Sequence, residues 1–237
     1  MPTDGWDFSW FEGRATEERP PWGYARLMGR WLAGASAALD IQTGGGEVLA
    51  TAPHPPPVLL ATESWPPNLG RARQNLRPLG ASVVEAADGA GLPFASGSFD
   101  LVVSRHPVVT VWPEVARVLR PGATFLSQQV GPGSVGELTD FMMGPQPVGP
   151  ARSPGRAADA ASAAGLELVG LHEARLRMEF SDIAAVVHFL RKVIWIVPGF
   201  TVDRYRRRLS ELHHRIQADG AFVAHATRFL IEARRPK

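Results

Sequence analysis

The stretch Ala37-Ala38-Leu39-Asp40-Ile41-Gln42-Thr43-Gly44-Gly45-Gly46-Glu47 constrains the fold of this chain more than any other. A short apolar run passes an acid and breaks into three glycines. That is the pattern of a buried strand feeding a tight turn with exposed backbone. Glycines carry no Cβ, so a ligand can approach the main chain closely. Glu47-Val48-Leu49-Ala50 can then begin a helix. Strand, glycine turn and helix form the front edge of a nucleotide-binding α/β unit, although such a turn can also be purely structural.

A second apolar run, Val58-Leu59-Leu60-Ala61-Thr62-Glu63, also ends in an acid, 23 positions after Asp40. In nucleotide-binding units an acid about 20 residues beyond the glycines bonds the ribose hydroxyls. A carboxylate can accept both of them, and hydrogen bonds to a charged group are worth roughly 1.5–3 kcal/mol. Glu63 could equally be a solvated strand end.

With these residues and the blocks downstream, the chain resembles the class I S-adenosylmethionine-dependent methyltransferases. Their glycine motif runs roughly acid-x-Gly-x-Gly-x-Gly. Asp40, Gly44 and Gly46 match it, and Gln42 stands where the first glycine is usual. Val83-Val84-Glu85-Ala86-Ala87-Asp88-Gly89-Ala90 resembles the third strand of the core with its adenine-side acid. Leu92-Pro93-Phe94 and Gly97-Ser98-Phe99-Asp100-Leu101-Val102-Val103 resemble the next loop and fourth strand. Glu114-Val115-Ala116-Arg117-Val118-Leu119-Arg120-Pro121-Gly122 resembles the helix and turn before the fifth. The resemblance covers about residues 35–130. It implies S-adenosyl-L-methionine as cofactor, with Gly44 and Gly46 at its methionine and ribose, Glu63 at the ribose, and Asp88 with the Gly89 amide at the adenine. It also implies a seven-stranded sheet with an antiparallel last strand. Asp100 has a supporting role in such domains.

The 237 residues suit one large α/β domain, and 45% apolar residues are enough for a core. The formal charge is +2, and no basic stripe suggests nucleic acid. There is no cysteine, which excludes disulfides, thiolate zinc sites and thiol catalysis, and the reading calls for no metal. No signal peptide and no membrane span are evident, so the expectation is a cytoplasmic protein. The sequence sets no oligomeric state.

Residues 1–24 crowd Trp6, Phe8, Trp10, Phe11, Trp22 and Tyr24, rings that could close over a ligand or pack on the domain. Arg14 could pair with a carboxylate through its planar fork. Thr16-Glu17-Glu18-Arg19 before Pro20-Pro21 reads as a helix entrance, and Trp22 to about Leu32 as a helix. The fourth strand ends at Ser104-Arg105-His106-Pro107. Carboxyl ends of strands face the ligand crevice in this architecture, so His106 is the best-placed histidine. It could accept a proton from the acceptor, bond the adenosine or cap the next helix. Trp112 could wall the pocket. Gln128 and Gln129 end the fifth strand, and Gln129 is taken as the one toward substrate.

Further on, Ala157–Ala164 reads as a helix closed by Gly165, Leu166–Leu171 as a strand, and Phe222–Ala233 as a last strand. Residues 176–219 hold two amphipathic helices, one over about Ser181–Trp195 with Ser181 or Asp182 as N-cap, the other starting near Thr201. They would form a helical cap, with His188 a possible substrate contact.

The sequence thus describes a doubly wound α/β domain with helices on both faces of a mostly parallel sheet. Its parts are an N-terminal aromatic segment and helix (1–34), a cofactor-binding core (35–130) and the cap insertion (176–219). The expected function is methyl transfer from S-adenosylmethionine to a small-molecule acceptor, without nucleic acid or membrane. Asp40, Gln42, Gly44, Gly46, Glu63, Asp88 and Gly89 would hold the cofactor. His106 would be catalytic, and Trp22, Tyr24, Trp112, Gln129 and His188 would meet the acceptor. The alternatives are a non-catalytic S-adenosylmethionine-binding regulator and, less well matched in glycine spacing, a nicotinamide-dependent oxidoreductase.

Overall fold

A computed structural model describes residues 9–237. Trp6 and Phe8 of the aromatic segment lie outside the described residues. The chain divides into two compact units. One comprises residues 21–130, 152–173 and 229–237, and the other residues up to 20, 131–151 and 174–228.

In the first unit the apolar runs become strands as their composition requires. They are β2 (Ala37–Ile41), β3 (Val58–Glu63), β4 (Ser82–Glu85), β5 (Phe99–Arg105) and β6 (Leu119–Val130). β4 pairs with β3, β3 with β2, β2 with β5 and β5 with β6, all in parallel. Strands covered on both faces lack the polar alternation of a half-exposed sheet. Ala38, Ala61, Leu101, Val103 and Leu126 pack with Tyr24, Met28 and Leu32 of α1 (Tyr24–Gly34) and Ala72 and Leu76 of α2 (Pro66–Leu76). The residues between them, Ala37, Leu39, Val102 and Phe125, pack with Trp112 and Val115 of α3 (Trp112–Val118) and Ala161 of α5 (Pro154–Ala163). Helices on both faces make this unit doubly wound. Each fully buried Leu, Val or Phe contributes on the order of 1.5–3 kcal/mol.

Asp100 is the supporting residue expected of it. Its carboxylate accepts from the Ser36 and Ala37 amides at 2.9 and 3.0 Å, tying the start of β2 to β5. No α-helix follows the glycine turn. Residues 49–51 form one 3₁₀ turn, because the prolines from Pro53 onward leave no room for more.

The other unit holds β1 (Ala15–Glu17), which pairs antiparallel with the end of β7 (Glu167–Phe180), together with α4 (Gly136–Met143), α6 (Ile183–Lys192), α7 (Arg206–Asp219) and most of β8 (Phe222–Arg234). The expected helix entrance at Thr16–Arg19 is therefore a strand edge. Glu18 N donates to Arg177 O, and residues ahead of a proline avoid the helical region. Both expected helices are present, the first shorter than the expected span and the second beginning at Arg206 rather than near Thr201. Asp182 caps α6 by accepting from Ala185 N at 2.7 Å. Val186, Leu190, Leu209, Leu212 and Ile216 bury their apolar faces in this unit's own core.

With β7 and β8 passing through both units, the strand order is β1-β7-β8-β6-β5-β2-β3-β4. The sheet has eight strands rather than seven, because Ala15–Glu17 adds an edge strand. No described helix is long and apolar enough to cross a membrane.

Candidate active site

The order β4-β3-β2-β5-β6 reverses direction between β2 and β5. Ligands of open α/β sheets bind at such a switch point, beyond the carboxyl ends of the strands. Ile41 lies opposite Ser104 in the register, so the segments that leave β2 and β5 emerge side by side as Gln42-Thr43-Gly44 and His106-Pro107.

The glycine turn is built for close approach. Gly44 and Gly46 hold φ of 65° and 79°. A Cβ on Gly44 would meet nothing within 4 Å, so that side of the turn is open, whereas one on Gly46 would strike Leu76 of α2 at 2.8 Å. Asn75 Nδ2 donates to Gly45 O at 2.8 Å and fastens the turn to α2. Gln42 also has positive φ, 57°, the conformation that a glycine would adopt freely. Its side chain turns onto the segment after β5. Oε1 accepts from Val108 N at 2.6 Å, and Nε2 donates to Val109 O at 2.7 Å.

Asp40 and Glu63 flank the turn, and Asp88 lies beyond Glu63. Asp40 is buried, accepts from Thr43 Oγ1 at 2.7 Å, and has its pKa pushed from 3.8 to about 7. Burial is the main cause, opposed by the Thr43 hydroxyl, reinforced by the charge of Glu63 and opposed by that of Arg105. Glu63 is also buried and shifted upward by burial. Its Oε1 accepts from the Ser64 and Trp65 amides at 3.0 and 2.8 Å. Asp88, in the loop after β4, accepts from Ser64 Oγ at 3.0 Å. A crevice in this unit is lined by Gln42, Thr62, Asp88, Gly89, Val109 and Phe125, among others. Of the residues expected at the cofactor, Asp40, Gln42, Gly44, Gly46 and Glu63 lie at the turn, and Gln42, Asp88 and Gly89 line the crevice.

The expected acceptor set is divided between the two units, with Trp22, Tyr24, Trp112 and Gln129 in the first and His188 in the other. Tyr24 is a core residue. It is 5% exposed, and its hydroxyl donates to Ser104 O at 2.8 Å. Trp112 is buried edge-on against Phe125, with ring centroids 5.4 Å apart, and holds α3 to the sheet instead of walling the crevice. His188 belongs to the other unit, 1% exposed, with its ring against Trp10 and Phe11. These three are packing residues, each drawn inward by its apolar ring surface. Gln129 donates to Thr110 Oγ1 at 3.2 Å and to Ser127 Oγ at 3.3 Å. Arg14 pairs with Asp182 at 3.0 Å across a largely exposed surface.

Trp22 and His106 do meet, through Gln128. Trp22 Nε1 donates to Gln128 Oε1 at 2.7 Å, and Gln128 Nε2 lies 2.9 Å from His106 Nε2. Gln128, only 3% exposed, is the residue that a choice between two adjacent glutamines missed. Its signal was the alternation of β6, but both neighbours are polar and so do not show which one faces in.

Fold and site together define a doubly wound α/β protein with a crevice at its switch point and two buried acids beside a glycine turn. Residues 39–127 match the family model described as a methyltransferase domain, and the proteins that the chain resembles in this stretch are class I S-adenosylmethionine-dependent methyltransferases. No curated protein matches the chain in sequence. Among solved structures, a Bacillus halodurans C-125 protein provisionally described as a methyltransferase aligns with a TM-score of 0.61 at 18% identity, over 90% of this chain and 98% of that one. Geranyl diphosphate methyltransferase, solved with GPP and sinefungin, aligns at 0.54 and 14%, over 90% and 76%. The [4+2]-cyclase SpnF aligns at 0.55 and 17%, over 90% and 80%. At these identities the likeness shows the fold.

Proposed function

We propose that the protein transfers the methyl group of S-adenosyl-L-methionine to a small-molecule acceptor. The observation that carries this reading is the pair of carboxylates beside the glycine turn. Asp40 and Glu63 are buried with their ionisation held back, and Asp88 stands beside them. Such a site favours a cation. The sulfonium and ammonium of S-adenosylmethionine answer that demand, whereas the pyrophosphate of a dinucleotide would bring two negative charges against it. This argues against the nicotinamide reading on charge as well as on glycine spacing.

The residues present fit the cofactor. Gly44 offers open space where a side chain would stand, Glu63 a carboxylate for ribose hydroxyls, and Asp88 and Gly89 a polar edge for the adenine, while Gln42 folds its side chain onto residues 108–109. When bound, S-adenosylmethionine supplies an electrophilic methyl group open to in-line attack. The chain's own part is alignment and exclusion of water, since positioning is a large term in such reactions. His106, at the end of β5, is the residue proposed against the acceptor.

One observation favours a second reading, a cofactor-binding protein that does not methylate. Gln42 occupies the first glycine position of the motif, and a protein of this fold, SpnF, is a [4+2]-cyclase. Retained binding with no transfer to any acceptor would select that reading.

Calorimetric titration with S-adenosylmethionine, S-adenosylhomocysteine and NADH tests the cofactor. The two sulfur ligands are expected to bind and NADH not to. Glu63→Ala is expected to weaken binding by about 10- to 100-fold, the worth of hydrogen bonds to a charged group. Binding of NADH alone would overturn the reading.

A further inference from the structure

The contacts among Trp22, Gln128 and His106 fix where protons reside. An indole N–H can only donate, so the Gln128 atom 2.7 Å from Trp22 Nε1 is the amide oxygen. The amide NH₂ of Gln128 is then the group 2.9 Å from His106 Nε2. An NH₂ also only donates, so His106 Nε2 must accept and carries no proton. A neutral imidazole in this state bears its proton on Nδ1. Turning the amide over would set NH₂ against the indole N–H, and a charged imidazolium would set N–H against NH₂. One assignment satisfies both contacts.

The arrangement is held firmly. Gln128 is buried, so water cannot readily replace a lost partner. Its own carbonyl accepts from His106 N at 2.7 Å, which ties the backbone of His106, held at φ 55°, to the same residue as its ring.

We propose that Gln128, oriented by Trp22, is a positioning residue that holds His106 as the neutral Nδ1–H tautomer and occupies its Nε2, so that His106 does not act as a base toward the acceptor. The consequence for the acceptor rests on the methyl-transfer reading, but the tautomer does not. The acceptor class that suits it is a nucleophile arriving with a free lone pair, one needing no proton removed by the protein.

Long-range ¹H–¹⁵N correlation spectra of the ligand-free protein at neutral pH report the tautomer directly. His106 is expected to show an unprotonated Nε2 and a protonated Nδ1. In Gln128→Glu a carboxylate oxygen faces the ring and can only accept, so Nε2 is expected to become protonated. Trp22→Phe keeps the ring and frees the amide to turn, and is expected to give a mixture of tautomers should the buried charge of Gln128→Glu prevent folding. A protonated Nε2 in the wild type, or an unchanged tautomer in both variants, would overturn the proposal. These spectra need no cofactor, so failure of S-adenosylmethionine to bind would remove the methyl-transfer reading and leave the tautomer standing. With an acceptor in hand, His106→Asn tests whether a base is lost, because Asn tolerates left-handed backbone and cannot take up a proton. A loss of turnover within about tenfold fits a residue that is not a base. A loss of about 10²–10⁴-fold, the contribution of a general base, would overturn that assignment.

Discussion

Asp40 carries a proton that the unfolded chain does not. Its carboxyl is pushed from the usual 3.8 up to about 7 in the folded protein. Between these two values the folded state binds more protons than the unfolded state, so stability falls as pH rises from about 4 to about 7 and levels off above. Asp40→Asn removes this dependence and still accepts from Thr43. The variant is expected to gain on the wild type across that window, to on the order of 2–4 kcal/mol at pH 8 at most. Urea unfolding at pH 5 and pH 8 measures it, and an equal pH change in both proteins would remove Asp40 as the cause. The same proton governs the cofactor. A cation beside Asp40 ionises it, so affinity for S-adenosylmethionine is expected to rise by up to about tenfold per pH unit below 7, and not above, with Asp40→Asn lacking that slope. Asp40 and Glu63 were legible in the sequence because each ends an apolar run. The packing of Tyr24, Trp112 and His188 was not, because an aromatic residue reads alike whether it lines a pocket or fills a core.

At the level of elements, the glycine turn and the segment after β5 are joined by one side chain. Gln42 gives up the ease of glycine at positive φ, a cost of about 1–2 kcal/mol, and gains bonds to Val108 and Val109. Gln42→Gly removes both the strain and the tie, so its stability is expected to stay within about 1 kcal/mol of wild type while the amides of residues 108–111 exchange faster. Gln42→Ala keeps the strain and loses the tie, and is expected to be about 1–3 kcal/mol less stable than wild type. Hydrogen exchange and denaturant unfolding check both, and equal stability of the two variants would sink the strain argument. The sequence showed Gln42 in an unusual place, but the destination of its side chain depends on strand register, since β5 comes 60 residues later yet lies beside β2. β3 was legible to the residue, and β2 from its first residue, because buried parallel strands are apolar runs between breakers. Only the start of β7 was read from the sequence, as Leu166–Leu171; the strand runs on to Phe180 through the alternation of Leu176, Met178 and Phe180 with Arg175, Arg177 and Glu179, into the segment expected to be helical from 176. β1 was hidden by brevity and polarity. α4 was hidden because its N-cap, Val135 at φ 60°, gives no capping signature.

For the molecule as a whole, doubly wound architecture was legible because order and spacing of apolar runs determine it, while the eighth strand and the division into two units depend on contacts remote in sequence. That division gives ligand binding a distinct signature. All seven residues proposed for the cofactor lie in the unit that contains residues 21–130. A ligand that binds only the folded state at 100 times its Kd adds about 2.7 kcal/mol. For a chain of this size each kcal/mol is worth roughly 2–4 °C, so S-adenosylhomocysteine at that concentration is expected to raise Tm by roughly 5–11 °C, and NADH is expected to leave it unchanged. A single calorimetric transition that moves as one would show the two units unfolding together. Two transitions, of which one moves, would show them unfolding separately, and hydrogen exchange would then place the added protection in β2, β3 and the loop after β4 and not in α6 or α7. Protection gained only in α6 and α7 would take the cofactor away from the glycine turn, and with it the roles proposed for Asp40, Glu63 and Asp88.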